Sequence, residues 1–284
     1  LEHHSNIVPW QMLVERAGIT VKAARMTPEG RLDLDELDRV VTKRCQLVAV
    51  THCSNVTGAV TDTAAVVEAA RTVGAKVLLD GAQRVPHGPI DVHDLGADFY
   101  AFSGHKMFGP TGIGGLWGRE DCLERMPPFM GGGQMIEKVT LERSTYTVPP
   151  RRFEAGTPPI AGAIGLGAAA EWLRGLDWTI LSEHRRALTR HMLDGLQAIP
   201  GVRIIGPHDL EHRRGVVSFM VEGRDLQSIC RALDERGVAV RYGHHCAQPL
   251  LAAFGLEAVA RASLALYNTE ADIDALLNGV EDGI

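Results

Sequence analysis

Ala97-Asp98-Phe99-Tyr100-Ala101-Phe102-Ser103-Gly104-His105-Lys106 runs from apolar residues into a polar corner. Ala97 to Tyr100 predicts a short buried strand, and the Met107-Phe108-Gly109-Pro110-Thr111-Gly112 that follows cannot be regular structure. Lys106 is therefore expected on a strand-end loop. The chain has five lysines against 24 arginines, and this one lies between a hydroxyl, an imidazole and a glycine turn instead of on a polar helix face. A lysine whose cation is partly desolvated can lose its proton near neutral pH, and the free amine forms a Schiff base with an aldehyde. A plain surface charge is the alternative reading.

Working outward, Val77-Leu78-Leu79-Asp80 is an apolar run ending in a carboxylate, followed by Gly81-Ala82-Gln83. This has the form of the carboxyl end of a parallel strand, where an aspartate points into the ligand crevice of an α/β sheet. Pyridoxal phosphate chemistry needs a lysine for the imine and an acid that keeps the pyridine nitrogen protonated. Asp80 and Lys106 can supply both, although Asp80 could instead cap the following turn.

The surrounding pattern alternates strand and helix. Strands are expected at Ile19 to Ala24, Gln46 to Cys53 and Lys76 to Asp80. Helices are expected at Asp35 to Lys43, capped by Asp33, and at Ala64 to Val73. This rhythm implies a mostly parallel sheet covered by helices, an α/β fold. The glycine-rich stretches Gly109 to Gly115 and Met130 to Ile136 fit neither P-loop nor Rossmann spacing. Ile160 to Leu173 reads as a helix with Gly162, Gly165 and Ala169 on one close-packing face. Leu181 to Ile199 reads as an amphipathic helix with a Leu188, Met192, Leu196 and Ile199 core stripe. A boundary near Leu173 to Trp178 would divide a large domain, 1–173, from a smaller α+β domain, 174–284. In the latter, strands are expected at Val202 to Ile205, Val216 to Val221, Ala239 to Tyr242 and Ala262 to Leu266, and helices at Leu226 to Arg236 and Ala271 to Leu277.

The second part also carries Arg241-Tyr242-Gly243-His244-His245-Cys246-Ala247-Gln248-Pro249. Of the five cysteines, Cys45, Cys53, Cys122 and Cys230 lie in core or helix-like contexts. Cys246 follows an arginine and two histidines, where positive charge favours thiolate. A metal site is the alternative, but the adjacent residues do not readily converge on one ion and no fourth ligand is suitably spaced.

Four motifs in order, Asp80-Gly81-Ala82-Gln83, Ser103 to Pro110, Arg152-Phe153-Glu154-Ala155-Gly156-Thr157-Pro158 and Arg241 to Pro249, resemble the SufS-type (group II) cysteine desulfurases. These belong to the class V branch of the fold-type I pyridoxal-phosphate enzymes. The resemblance implies a fold-type I architecture, a homodimer and the conversion of L-cysteine to L-alanine, with the sulfur left as a persulfide on Cys246. It implies that Lys106 holds the cofactor and acts as the base, that Asp80 pairs with the pyridine nitrogen and that Gln83 bonds the ring oxygen. His3 would stack on the ring and help in proton transfer, Ser103 and His105 would hold the phosphate, and Thr157 would reach the phosphate of the other subunit's cofactor. Asn55, Arg241 and Arg261 would contact cofactor or substrate, Arg261 through the α-carboxylate. The loop at 130–136 resembles one beside the active-site mouth and the dimer contact. The sulfur acceptor would be a SufE- or SufU-like carrier serving iron–sulfur cluster assembly; Gln227, where SufU-coupled members have histidine, favours the SufE-like partner. Leu1 to Asn6 resembles an interior motif of the family, so a missing N-terminal segment with a glycine-threonine phosphate loop is expected. Selenocysteine lyase, another class V enzyme, or an inactive dimerisation or partner-binding fragment are the alternatives.

Composition sets the outer bounds. At 284 residues, with 45% hydrophobic and 23% charged residues, the chain is that of a globular protein of one or two domains. A net charge of −6 argues against a nucleic-acid surface. No apolar run approaches the ~20 residues needed to span a bilayer. An odd number of cysteines without a CxxC pair fits a reducing cytoplasm.

Overall fold

The structure, a computed structural model, describes residues 1–283. After a short turn at His4–Asn6, helix α1 (Val8–Ala17) begins with Pro9 in its first turn and stops at Gly18, which is left-handed (φ 64°). Helix α2 (Leu34–Val40) starts where the Asp33 carboxylate accepts the backbone N–H groups of Asp35 and Glu36, a cap that contributes about 1 kcal/mol. Strand β1 (Leu47–Thr51), helix α3 (Thr63–Val73) and strand β2 (Lys76–Asp80) form a βαβ unit. Strands β3 (Phe99–Ser103) and β4 (Gly114–Gly118) complete a sheet of order β1-β2-β3-β4. The first three strands are parallel and β4 is antiparallel, with Asp80 paired to both Thr51 and Ala101. Val66, Val67 and Ala70 of α3 bury one face against Val48, Val50, Val77 and Leu79.

Beyond β4 come a four-residue helix α4 (Glu120–Leu123) and a hairpin, β5 (Ile136–Val139) with β6 (Ser144–Tyr146). Helix α5 (Ile160–Arg174) packs its small face closely: Gly162 lies against Ile113 and Gly165 against Pro110. The long α6 (Trp178–Ala198) is capped by Asp177 and buries Leu188, Met192 and Leu196. It covers a second sheet, β7 (Val202–Ile205), β8 (Val216–Val221), β9 (Arg241–Gly243) and β10 (Val259–Ser263), antiparallel throughout in the order β7-β8-β10-β9. Helices α7 (Leu226–Glu235) and α8 (Gln248–Ala253) lie between these strands in sequence, and α9 (Glu270–Asp282) follows the last of them. Ile229, Leu233, Ile273, Leu276 and Val280 join α6 in one core over Val217 and Phe219.

The two sheets meet through the buried loop after β1. Ser218 Oγ donates to the Val56 carbonyl at 2.6 Å, Arg261 Nη1 to the Asn55 carbonyl at 2.9 Å, and Asn55 Nδ2 to the His245 carbonyl at 2.8 Å. Backbone polar groups in a buried loop must be satisfied, and here the second sheet satisfies them.

Several sequence expectations are corrected. Ile19 to Ala24 is not a strand: among the described residues nothing lies beside it to complete a ladder, and Ile19 and Val21 are exposed. β-Rich composition needs a paired surface to act on. The predicted strands at 239–242 and 262–266 shift to β9 and β10, and the last helix extends to Asp282. Helices α1 and α8 were not anticipated.

Candidate active site

A cavity of about 540 Å³ opens at the carboxyl ends of β2 and β3, where an open α/β sheet places its ligand. Asp80, the last residue of β2, lines it, and its Oδ1 also accepts the Ala82 N–H at 3.0 Å. The capping and cavity-facing readings of this aspartate therefore coexist. β3 ends in a tight turn, Gly104–Lys106, which puts Ser103, His105 and Lys106 on the wall. The turn is closed locally: Gly104 N–H donates to the Ile113 carbonyl and Gly109 N–H to the Gly104 carbonyl, both at 2.9 Å. A Cβ at Gly104 would stand 2.9 Å from Ile113 Cγ2 and 3.0 Å from its carbonyl oxygen, so the close approach needs glycine. Burial lowers the Lys106 pKa below the usual lysine value; Asp80 opposes that shift and Arg261 adds to it.

Opposite stands the start of the chain. Glu2 is tied to the sheet, its Oε1 accepting the Thr51 N–H at 3.0 Å and its Oε2 the Asn6 side-chain amide at 2.6 Å. This anchors His3 on the cavity wall, where burial and then the nearby Lys106 lower its pKa. Its Nδ1 accepts the Ser5 N–H at 3.2 Å, which leaves Nε2 to carry the ring proton.

The third wall belongs to the second sheet. Arg241 and Arg261 are directly paired on β9 and β10 and both line the cavity. Like charges facing across a ladder repel, and among the described residues neither arginine makes a salt bridge. Arg261 Nε is buried without a hydrogen-bond partner. An anion between them would satisfy both. Cys246 completes the wall, in a corner where His245 and Cys246 are both left-handed (φ 51° and 55°). His245 does not reach toward a metal: its Nε2 donates to the Val259 carbonyl at 3.0 Å, and burial holds its pKa at about 4, keeping the ring neutral. Among the described residues no cluster of three or more His, Cys, Asp or Glu side chains is placed to hold a metal ion.

Of the residues singled out from the sequence, His3, Asn55, Asp80, Gln83, Ser103, His105, Lys106, Arg241, Cys246 and Arg261 line this one cavity. Thr157 does not; it is exposed on the loop before α5. His245 also lines the wall, but its buried neutral ring does not supply the positive charge expected of it beside Cys246; Trp10 lines the wall and went unread. Trp10 is placed by its Nε1 donating to Asn6 Oδ1 at 3.1 Å. The only sequence signal for it was the Val8-Pro9-Trp10 helix start. The donor set fits an aldehyde cofactor with an anionic tail: a depressed lysine, a carboxylate, Gln83, and the hydroxyl and imidazole of Ser103 and His105.

Comparison with known proteins points the same way. The aminotransferase class-V family matches residues 1–276. A probable cysteine desulfurase of Streptomyces coelicolor is 48% identical over 99% of this chain and 67% of its own length. A cysteine desulfurase of Dickeya dadantii is 46% identical, with 99% and 68% covered. Among solved structures, the cysteine desulfurase CsdA of Escherichia coli superposes with a TM-score of 0.95 at 41% identity, covering 99% of this chain and 70% of that one. The chain thus spans about two thirds of the length of most of the curated relatives it matches, and less than half of two longer ones. With its α/β fold shared with CsdA, the chain belongs to the aminotransferase class-V family, among relatives that are cysteine desulfurases.

Proposed function

We propose that this cavity is a cysteine desulfurase site that takes pyridoxal 5'-phosphate and L-cysteine and leaves sulfur on Cys246. The observation that carries the reading is the convergence of Lys106, Asp80, Arg261 and Cys246 on one cavity. When bound, the cofactor supplies an electron sink for charge that develops at the substrate α-carbon. Lys106, its ammonium disfavoured by burial, would hold the cofactor aldehyde and serve as the base for the substrate α-proton. Asp80 would pair with the ring nitrogen and Gln83 with the ring oxygen, His3 would stack on the ring and help in proton transfer, and Ser103 and His105 would hold the phosphate. Asn55 contributes from the loop after β1. Arg261, with Arg241 opposite, clamps the substrate carboxylate by charge-assisted hydrogen bonds. Cys246 thiolate attacks the substrate sulfur; the substrate C–S bond breaks with its electron pair left on carbon, and protonation of that carbon releases alanine. Cys246 remains as a persulfide.

The finer reading is of the SufS type, with residues 1–173 and 174–284 as its two units, each sheet having its own core. A homodimer is supported by apolar side chains left in solvent on the hairpin and nearby: Phe129, Leu141, Val148 and Ile164. Thr157 would then reach the other subunit's phosphate. Gln227 is exposed on α7 and favours a SufE-like acceptor feeding iron–sulfur cluster assembly. Five free cysteines suit a reducing cytoplasm. The test is visible absorbance after adding pyridoxal phosphate, for the chain and for Lys106→Ala. A band that requires Lys106 and changes on adding L-cysteine is expected; a band indifferent to Lys106, or none, would overturn the reading.

A further inference from the structure

His4 takes no part in the chemistry above and does not line the cavity, yet it touches the cysteine corner three times. Its backbone N–H donates to the Cys246 carbonyl at 2.7 Å. Its Nε2 accepts the N–H of Gln248, the first residue of α8, at 3.2 Å. Its ring stacks on His244, centroids 5.7 Å apart and planes 30° inclined. His244 Nδ1 in turn accepts the Cys246 N–H at 3.0 Å.

The corner needs such support. Two consecutive residues without glycine's freedom, His245 and Cys246, hold the left-handed conformation, which L-residues adopt only when their surroundings over-determine it. The residue before α8 is Ala247, which has no side-chain oxygen to cap the helix. The acceptor comes instead from 244 positions earlier in the chain. We propose that His4 is a positioning residue: together with His244 it forms an imidazole clamp, two ring nitrogens accepting the backbone N–H groups of Cys246 itself and of Gln248, that fixes the thiol toward the cavity. The role needs both rings neutral at those nitrogens, His4 with its proton on Nδ1 and His244 on Nε2. It deepens the reading of Cys246 as the nucleophile and rests on it.

The test compares His4→Leu, which keeps bulk and loses the acceptor, with His4→Gln, whose amide oxygen can stand where Nε2 stood. Iodoacetamide labelling of Cys246, located by mass spectrometry, is followed together with hydrogen exchange of the Gln248 amide. Neither readout needs bound cofactor or turnover. In His4→Leu the corner loosens, and Cys246 labelling and Gln248 exchange both accelerate by about three- to tenfold, the change that loss of one net hydrogen bond allows. In His4→Gln both stay near the wild-type rates. With cofactor and L-cysteine, His4→Leu lowers kcat and leaves KM unchanged, because Arg261 and Arg241 are untouched. Wild-type labelling and exchange in His4→Leu, or equal acceleration in both variants, would overturn the clamp. Should wild-type turnover itself fail, labelling and exchange still decide the clamp, while the absorbance test above decides the desulfurase reading.

Discussion

The two chemical corners of the cavity are built in opposite ways. The Lys106 corner is closed by backbone bonds among near neighbours, Gly104 with Ile113 and Gly109 with Gly104, at the end of a strand in a mixed sheet. The Cys246 corner is held across sequence separations of 242 to Cys246 O, 190 to His245 O and 14 from His245 to Val259, by His4, Asn55 and the β10 backbone. A locally closed turn tolerates changes elsewhere in the chain. A corner assembled from remote residues ties the nucleophile to the packing of the two sheets, so substitutions far away in sequence reach it.

The largest effect expected from breaking either side is Lys106→Ala. Loss of the general base alone removes about a hundred- to ten-thousand-fold of turnover, and the cofactor band goes with it; steady-state alanine release and absorbance measure the two. Next comes Arg261→Gln, which trades a charged donor for a neutral one. Substrate capture weakens by about 1.5–3 kcal/mol, appearing as a raised KM for L-cysteine with the cofactor band intact. Asn55→Ala and Gly104→Ala sharpen the contrast. The first leaves the buried His245 carbonyl without its donor, about 1–3 kcal/mol, and disturbs Cys246 labelling more than the band. The second forces a methyl against Ile113, about 1–3 kcal/mol of overpacking, and disturbs the band more than the labelling.

A separate effect is expected on the pH dependence of stability. His245, His52 and His87 are kept neutral by burial, with pKa values lowered from 6.5 to about 4, about 3 and about 3. Below the unfolded value the unfolded chain binds more protons than the folded one, so stability is fully present above about pH 6.5 and falls on acidification toward those lowered values. Urea midpoints at pH 7 and pH 5 check the sign, and His245→Gln flattens part of the slope.

The same contrast explains what the sequence could and could not tell. Asp80 and Lys106 were readable because an apolar run ending in a polar residue and a glycine turn are local patterns, and so were the caps at Asp33 and the α6 core stripe. The loop around Cys246 singled it out locally, while the resemblance supplied its role and those of Arg241 and Arg261, whose convergence with Lys106 no local pattern encodes. His4 carries no local signal of its role, since its partners lie at 244, 246 and 248. Ile19 to Ala24 was misread because strand-like composition says nothing about whether a partner strand exists. Helix α1 was missed despite Pro9 and Gly18 marking its ends, because none of its residues is buried and its apolar side chains make no clear stripe.

The central claim is tested most directly by the mass of the Cys246 peptide after incubation with pyridoxal phosphate and L-cysteine, beside Lys106→Ala. The account predicts a gain of one sulfur atom on Cys246, with alanine released and no gain in the variant. An unmodified Cys246 in cofactor-loaded protein, or sulfur on Cys246 irrespective of Lys106, would contradict it.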